Sequence, residues 1–218
     1  MTMARLLVTG FGPFPGMRRN PSAAVARLVA ADRRWRVLGV ETKALVLPTT
    51  YATLEDELAP ALLQGFDAVL MIGVAGRSCR LRVERRAVNR TSILFPDASG
   101  CRSKSLGFGE RIDARRTRAS FPRALATLRS AGLPSRLSQD AGRYLCNAAY
   151  FRALAQPVPV LFVHIPKARR RDRPRRPARP GSAVRLPPMA AALARIAADL
   201  LRQTQQGRVE APIQPERA

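Results

Sequence analysis

One stretch constrains this chain more than any other: Phe66 to Val74, which from Ala68 onward reads Ala-Val-Leu-Met-Ile-Gly-Val with no polar side chain. A strand with one wet face alternates apolar and polar residues. A continuous apolar run bounded by turn residues therefore predicts a strand covered on both sides, the central parallel strand of a sheet with helices above and below. The run falls well short of the roughly 20 apolar residues that span a bilayer, so no membrane span is expected. A shorter apolar run stands at Ala4 to Thr9, a second strand is expected within Val37 to Leu47, broken by Pro48, and another buried strand at Val158 to Ile165 before Pro166. Segments with helical spacing separate them: Ala23 to Ala30, introduced by a capping Asn20 and by Pro21; Tyr51 to Leu63, ended by Gly65; Arg111 to Ser130, broken at Pro122; Tyr144 to Leu154; and Met189 to Leu201. This alternation places the chain in the α/β class, as a single-domain three-layer α/β/α sandwich with a mixed, largely parallel central sheet.

Further strands are predicted at Cys79 to Val88 and Pro134 to Ser138, and a long loop at Arg90 to Gly109, which is rich in Ser, Gly and Pro. The domain is expected to cover residues 1–206. Residues 168–185, crowded with arginine and proline, form a loop insertion within it, since like charges repel and prolines prevent regular pairing. The tail, residues 207–218, carries no periodicity and is expected to be disordered.

With 38 basic and 15 acidic residues the net charge is +23, and only Lys43, Lys104 and Lys167 are lysines. Such a surplus invites a nucleic-acid partner. Against one, the arginines are scattered along the chain, no aromatic residues are interleaved for base stacking, and no helix-turn-helix or RNA-binding signature is present. Cys79, Cys101 and Cys146 are an odd number without paired spacing, which excludes a disulfide framework and a zinc site. The start of the chain lacks the pattern of a secretory signal, so a reducing cytoplasm is the expected location. No cofactor is implied.

His164, the one histidine, ends the strand Val160-Leu-Phe-Val163, and ligands and catalytic groups of open α/β sheets gather at that edge. Cys146 follows the glycine turn of Asp140-Ala-Gly-Arg-Tyr-Leu-Cys-Asn147, near the first turns of a predicted helix. Backbone N–H groups there would favour a thiolate and, later, an oxyanion, although most free cysteines are simply small core residues. Glu84 is the one acid in a basic strand, suited either to a surface ion pair or to orienting His164.

Several segments together resemble the pyroglutamyl peptidase I family, or pyrrolidone-carboxylate peptidases, cysteine peptidases that remove an N-terminal pyroglutamyl residue. They are Val8-Thr-Gly-Phe-Gly-Pro-Phe14 with Asn20-Pro-Ser22, Leu47-Pro-Thr-Thr-Tyr51, Gly73-Val-Ala-Gly76, Glu84-Arg-Arg-Ala-Val-Asn89, Ser138 to Asn147, and Phe162-Val-His-Ile-Pro166. The resemblance implies a Cys146 nucleophile passing through a thioester, His164 as general base and acid, and Glu84 as orienting carboxylate. It also implies Phe11 and Phe14 around the lactam ring, supported by Asn20, with N-terminally pyroglutamylated peptides as substrates and a homo-oligomeric state among bacterial members. Val74, Arg77 and Leu94 stand where many bacterial members carry Gln, Gly and Arg. The competing expectation is a catalytically weakened homologue that binds an acidic partner or nucleic acid through its arginine-rich loop.

Overall fold

Every residue from Leu6 to Phe11, from Ala68 to Gly73 and from Val160 to Ile165 is buried, as a sheet covered on both faces requires. In the computed structural model, which describes residues 3–109, 111–167 and 186–210, these runs lie in β1 (Ala4–Phe11), β3 (Ala68–Ala75) and β8 (Val160–Pro166). With β2 (Val40–Leu47), β4 (Leu81–Glu84) and β7 (Ser135–Ser138) they form one six-stranded sheet in the order β2-β1-β3-β8-β4-β7. All pairings are parallel except β4 with β8. The exception has a simple cause. Only Gly76 to Arg80 connect β3 to β4, far fewer than the dozen or so residues of a parallel crossover, so β4 must run back.

Alternate side chains of the central strands feed two cores. Leu6, Val8, Leu70, Ile72, Leu161 and Val163 pack under α1 (Pro21–Ala30), α4 (Phe121–Ser130) and α6 (Leu186–Glu210), with Trp35 of the short α2 (Arg34–Val37) at the margin. On the opposite face, Leu7, Val69, Met71 and Phe162 pack under Leu54–Leu58, which is wound as a π-helix, its continuation α3 (Ala59–Leu62), and α5 (Leu145–Ala153). The result is the predicted three-layer α/β/α arrangement with a mixed, largely parallel sheet.

Four local expectations change. The segment Cys79 to Val88 is not one strand: after β4 the chain breaks at Arg85, and β5 (Arg86–Val88) joins a separate two-stranded ribbon with β6 (Ala114–Arg116). Residues expected as the start of a helix at Arg111 thus include a strand, and Pro122 sits in the first turn of α4, where its missing N–H costs nothing, rather than interrupting it. Helical structure after Tyr51 begins only at Leu54. The last helix runs on through Gly207 to Glu210, into the expected tail, because its buried stripe from Met189 to Leu201 holds it against the sheet. The arginine-rich stretch 168–185 and residues 211–218 lie outside the described residues. Among the described residues no helix is long and apolar enough to cross a membrane.

Candidate active site

The site forms where β4 and β8 run antiparallel. Phe162 faces the core under α5, and His164, two residues on, points to the same side. Across the sheet its register partners are Gly73 on β3 and Arg82 on β4. Glu84, two residues beyond Arg82, shares that face. Its Oε1 lies 2.8 Å from His164 Nδ1. Glu84 is wholly buried and His164 only 5% exposed. Since an ionised carboxylate can only accept, Nδ1 carries the proton and Nε2 is left as the basic atom.

Cys146 sits in the first turn of α5, directly over Gly73. A Cβ built on Gly73 would lie 3.1 Å from Cys146 Sγ and 2.7 Å from the Phe162 ring, so glycine is required to seat the thiol on the sheet. That seat is one strand away from His164, about 4.8 Å along the ladder. The position of α5 is fixed from two sides. Asn147, fully buried, accepts from Val88 N at 2.9 Å and donates to Val88 O and Arg90 O. The Tyr150 hydroxyl donates to Glu84 O at 2.9 Å.

The electrostatics depart from the expectation of a standing thiolate at a helix start. Burial pushes the Cys146 thiol up to about 12, the Glu84 charge adds to this, and only its own backbone N–H opposes them. The thiol therefore rests protonated, so any attack by its sulfur would require loss of that proton.

Phe11 is 2% exposed, packed against Phe162 with ring centroids 6.3 Å apart. Phe14 is half-buried in the following loop, which closes on itself through bonds between Phe14 and Met17. Asn20 supports that loop from within. Its side chain donates to Gly12 O at 2.9 Å and accepts from Ser22 N, which also caps α1. Val74 is half-buried, Arg77 exposed, and Leu94 71% exposed at the tip of the 90–109 loop.

Three contributors escaped the sequence reading. Arg82 Nε lies 3.1 Å from Glu84 Oε1, a contact that strand spacing alone could have suggested. Gly73 stood in a family-like segment, but its close approach to the thiol depends on the sheet register and was not read from it. Asp97, 2% exposed, organises the loop beside Tyr51 and Tyr144 by accepting from Tyr51 N, Ser99 N, Ser99 Oγ and Cys101 N at 2.7–2.9 Å.

The likeness to known proteins is extensive. The family model described as "Pyroglutamyl peptidase" matches residues 4–170. A pyrrolidone-carboxylate peptidase of Levilactobacillus brevis is 34% identical over 171 residues, 74% of this chain and 81% of that protein. One from Streptomyces coelicolor is 32% identical over 182 residues, covering 76% and 79%. The crystal structure of pyrrolidone carboxyl peptidase from Thermus thermophilus superposes with a TM-score of 0.77 at 33% identity, over 89% of this chain and 99% of that one. The Thermococcus litoralis enzyme shares the fold at 23% identity with a TM-score of 0.78, over 97% of this chain and all of that one. The matched stretch contains β1 to β8 and α1 to α5, hence every strand and helix that carries the thiol, the imidazole and the carboxylate, and the chain belongs to the pyroglutamyl peptidase family.

Proposed function

We propose that this chain hydrolyses the amide bond after an N-terminal pyroglutamyl residue, with Cys146 as nucleophile, His164 as general base and acid, and Glu84 as the carboxylate that orients the imidazole. The observation that carries the reading is the Glu84–His164 bond of 2.8 Å, with the thiol seated one strand away over Gly73. As Sγ attacks the pyroglutamyl carbonyl, its proton passes to His164 Nε2, and Glu84 stabilises the imidazolium. The oxyanion develops beside the first N–H groups of α5. His164 then protonates the leaving amine, the carbon–nitrogen bond breaks and a thioester remains on Cys146. A water deprotonated by His164 attacks the thioester, releasing pyroglutamate and restoring the thiol.

The half-buried ring of Phe14 suits the flat, neutral lactam, Phe11 backs the pocket through Phe162, and Asn20 holds the loop between them. The free thiols of Cys79, Cys101 and Cys146 suit a reducing cytoplasm. Nothing favours the competing binding-module reading.

Purified protein is expected to hydrolyse a fluorogenic pyroglutamyl amide. Cys146→Ser and His164→Ala should each lower kcat/KM by about 10³-fold or more. A silent wild type, or variants that keep its rate, would refute the assignment.

A further inference from the structure

Glu84 is held unevenly. Its Oε1 takes the hydrogen bond of His164 Nδ1 at 2.8 Å and is ion-paired with Arg82, whose Nε lies 3.1 Å away, whereas Oε2 is buried with no hydrogen-bond partner among the described residues. One oxygen thus faces both the imidazole, through a hydrogen bond, and the guanidinium, through an ion pair. Arg82 itself is tied down elsewhere. Its Nη2 and Nε donate to Ser138 Oγ at 2.7 and 3.2 Å, at the end of β7, and its Nη2 also donates to Asp140 O. Asp140 begins the turn that launches α5, its Oδ1 accepting from Gly142 N. One guanidinium therefore spans β4, the end of β7 and the turn ahead of Cys146, and its side chain is only 22% exposed.

We propose that Arg82 is a positioning residue of this site, which balances the charge of the Glu84 carboxylate beside His164 by ion pairing and, through its bonds to Ser138 and Asp140, links that carboxylate to the turn preceding Cys146. This rests on the roles given above to Cys146, His164 and Glu84.

Two physical consequences separate this role from simple structural support. The first is charge. The titratable and charged groups facing the Glu84 carboxylate are Arg82 on its own strand, His164 on β8, and Cys146 and Tyr150 on α5. Of these only Arg82 carries a permanent positive charge, so it is the group that balances Glu84 while the imidazole is neutral. Without it, a buried carboxylate stands uncompensated and the cluster takes up a proton at higher pH. The second is reach. A lysine supplies the charge but cannot pair with Glu84 while bonding Ser138 and Asp140 from one planar fork.

The test is the pH profile of kcat/KM in tag-free wild type, Arg82→Gln and Arg82→Lys. The acidic limb should move up by about one pH unit in Arg82→Gln and stay at the wild-type position in Arg82→Lys, whose kcat should nevertheless fall about tenfold. A limb unmoved in Arg82→Gln, or equally displaced in both variants, would overturn the charge role. Wild-type kcat in Arg82→Lys would overturn the tether. The same protonation step can be followed without any turnover, by the ring-nitrogen NMR signals of the chain's single histidine. A wild type inactive on pyroglutamyl amides sinks the proposed function, but an upward displacement of the imidazole signals in Arg82→Gln would still support Arg82, and coincident titrations would reject it. If Arg82→Gln does not fold, the Arg82→Lys profile and kcat alone decide.

Discussion

Gly73 shows how closely the reacting atoms depend on a residue with no side chain. Adding one methyl group there brings carbon to 2.7 Å from the Phe162 ring and 3.1 Å from Cys146 Sγ, closer than either neighbour tolerates. The ring packs against Phe11, Tyr150 and His164, with centroids 4.6–6.3 Å apart, so relieving the 2.7 Å contact disturbs the packing beneath Cys146 as well as the thiol itself. Gly73→Ala should therefore lower kcat/KM by about 10²-fold through displacement of the nucleophile. Overpacking should also cost about 1–3 kcal/mol of stability, read from the urea midpoint. Unchanged kinetics would mean that Cys146 does not use this seat during turnover.

At the scale of elements, the irregular stretch between β5 and β6 is a built part of the site. Ser92 N donates to Arg143 O at 2.7 Å, Tyr144 OH to Pro96 O at 2.8 Å and Ala98 N to Thr49 O at 2.8 Å, so the stretch braces the turn into α5 against the end of β2. Asp97 is its knot. Burial raises its carboxyl, but the Ser99 hydroxyl and the N–H groups of Tyr51, Cys101 and Ser99 outweigh that and leave it below the usual 3.8. A depressed folded value means the stabilisation is complete above 3.8 and is lost as pH falls through the lower folded value. Hydrogen exchange in this stretch should therefore quicken on acidification below about pH 4. Asp97→Ala, which strands the four donors, should cost about 3 kcal/mol and reduce turnover through the turn into α5. Retained exchange protection in that variant would contradict the bracing role. This knot was invisible in the sequence, where Pro96-Asp97-Ala-Ser-Gly100 reads only as loop, because Tyr51, which donates to Asp97, and Tyr144, which donates to Pro96 O, are distant in the chain. Elements with strong apolar runs, β1, β3 and β8, were legible because both their faces are buried. By contrast, Ala114-Arg-Arg116 offers no apolar alternation, and the break at Arg85 turns on that residue's bonds to Ser138 and Thr117. Cys146, His164 and Glu84 were singled out from helix start, strand end and family likeness, whereas the links from Arg82 to Ser138 and Asp140 depend on the pairing of β4 with β7.

Over the whole molecule the outstanding quantity is the charge of +23, carried mainly by arginine. Part of it is engaged locally: Arg115 lies over the Phe151 ring, Arg85 over Phe121, and Arg86 donates to Gln139 O. Such a surplus attracts polyanions without reading them. DNA duplexes of unrelated sequence should bind equally, with affinity falling by about 10³ between roughly 50 and 200 mM salt. Sequence-selective binding that survives the higher salt would reveal a second function. The antiparallel pairing of β4 with β8 has a different consequence, one that concerns how the molecule comes into being. It joins Glu84 to His164 across 80 positions of chain, with β5, β6, α4, β7 and α5 lying between them in sequence. Contacts of such long sequence separation form late, because loop closure must precede any gain from pairing. A chain part-way to its native state holds a thiol and an imidazole with nothing to align them. Peptide hydrolysis is thereby withheld from the nascent chain until the sheet has closed.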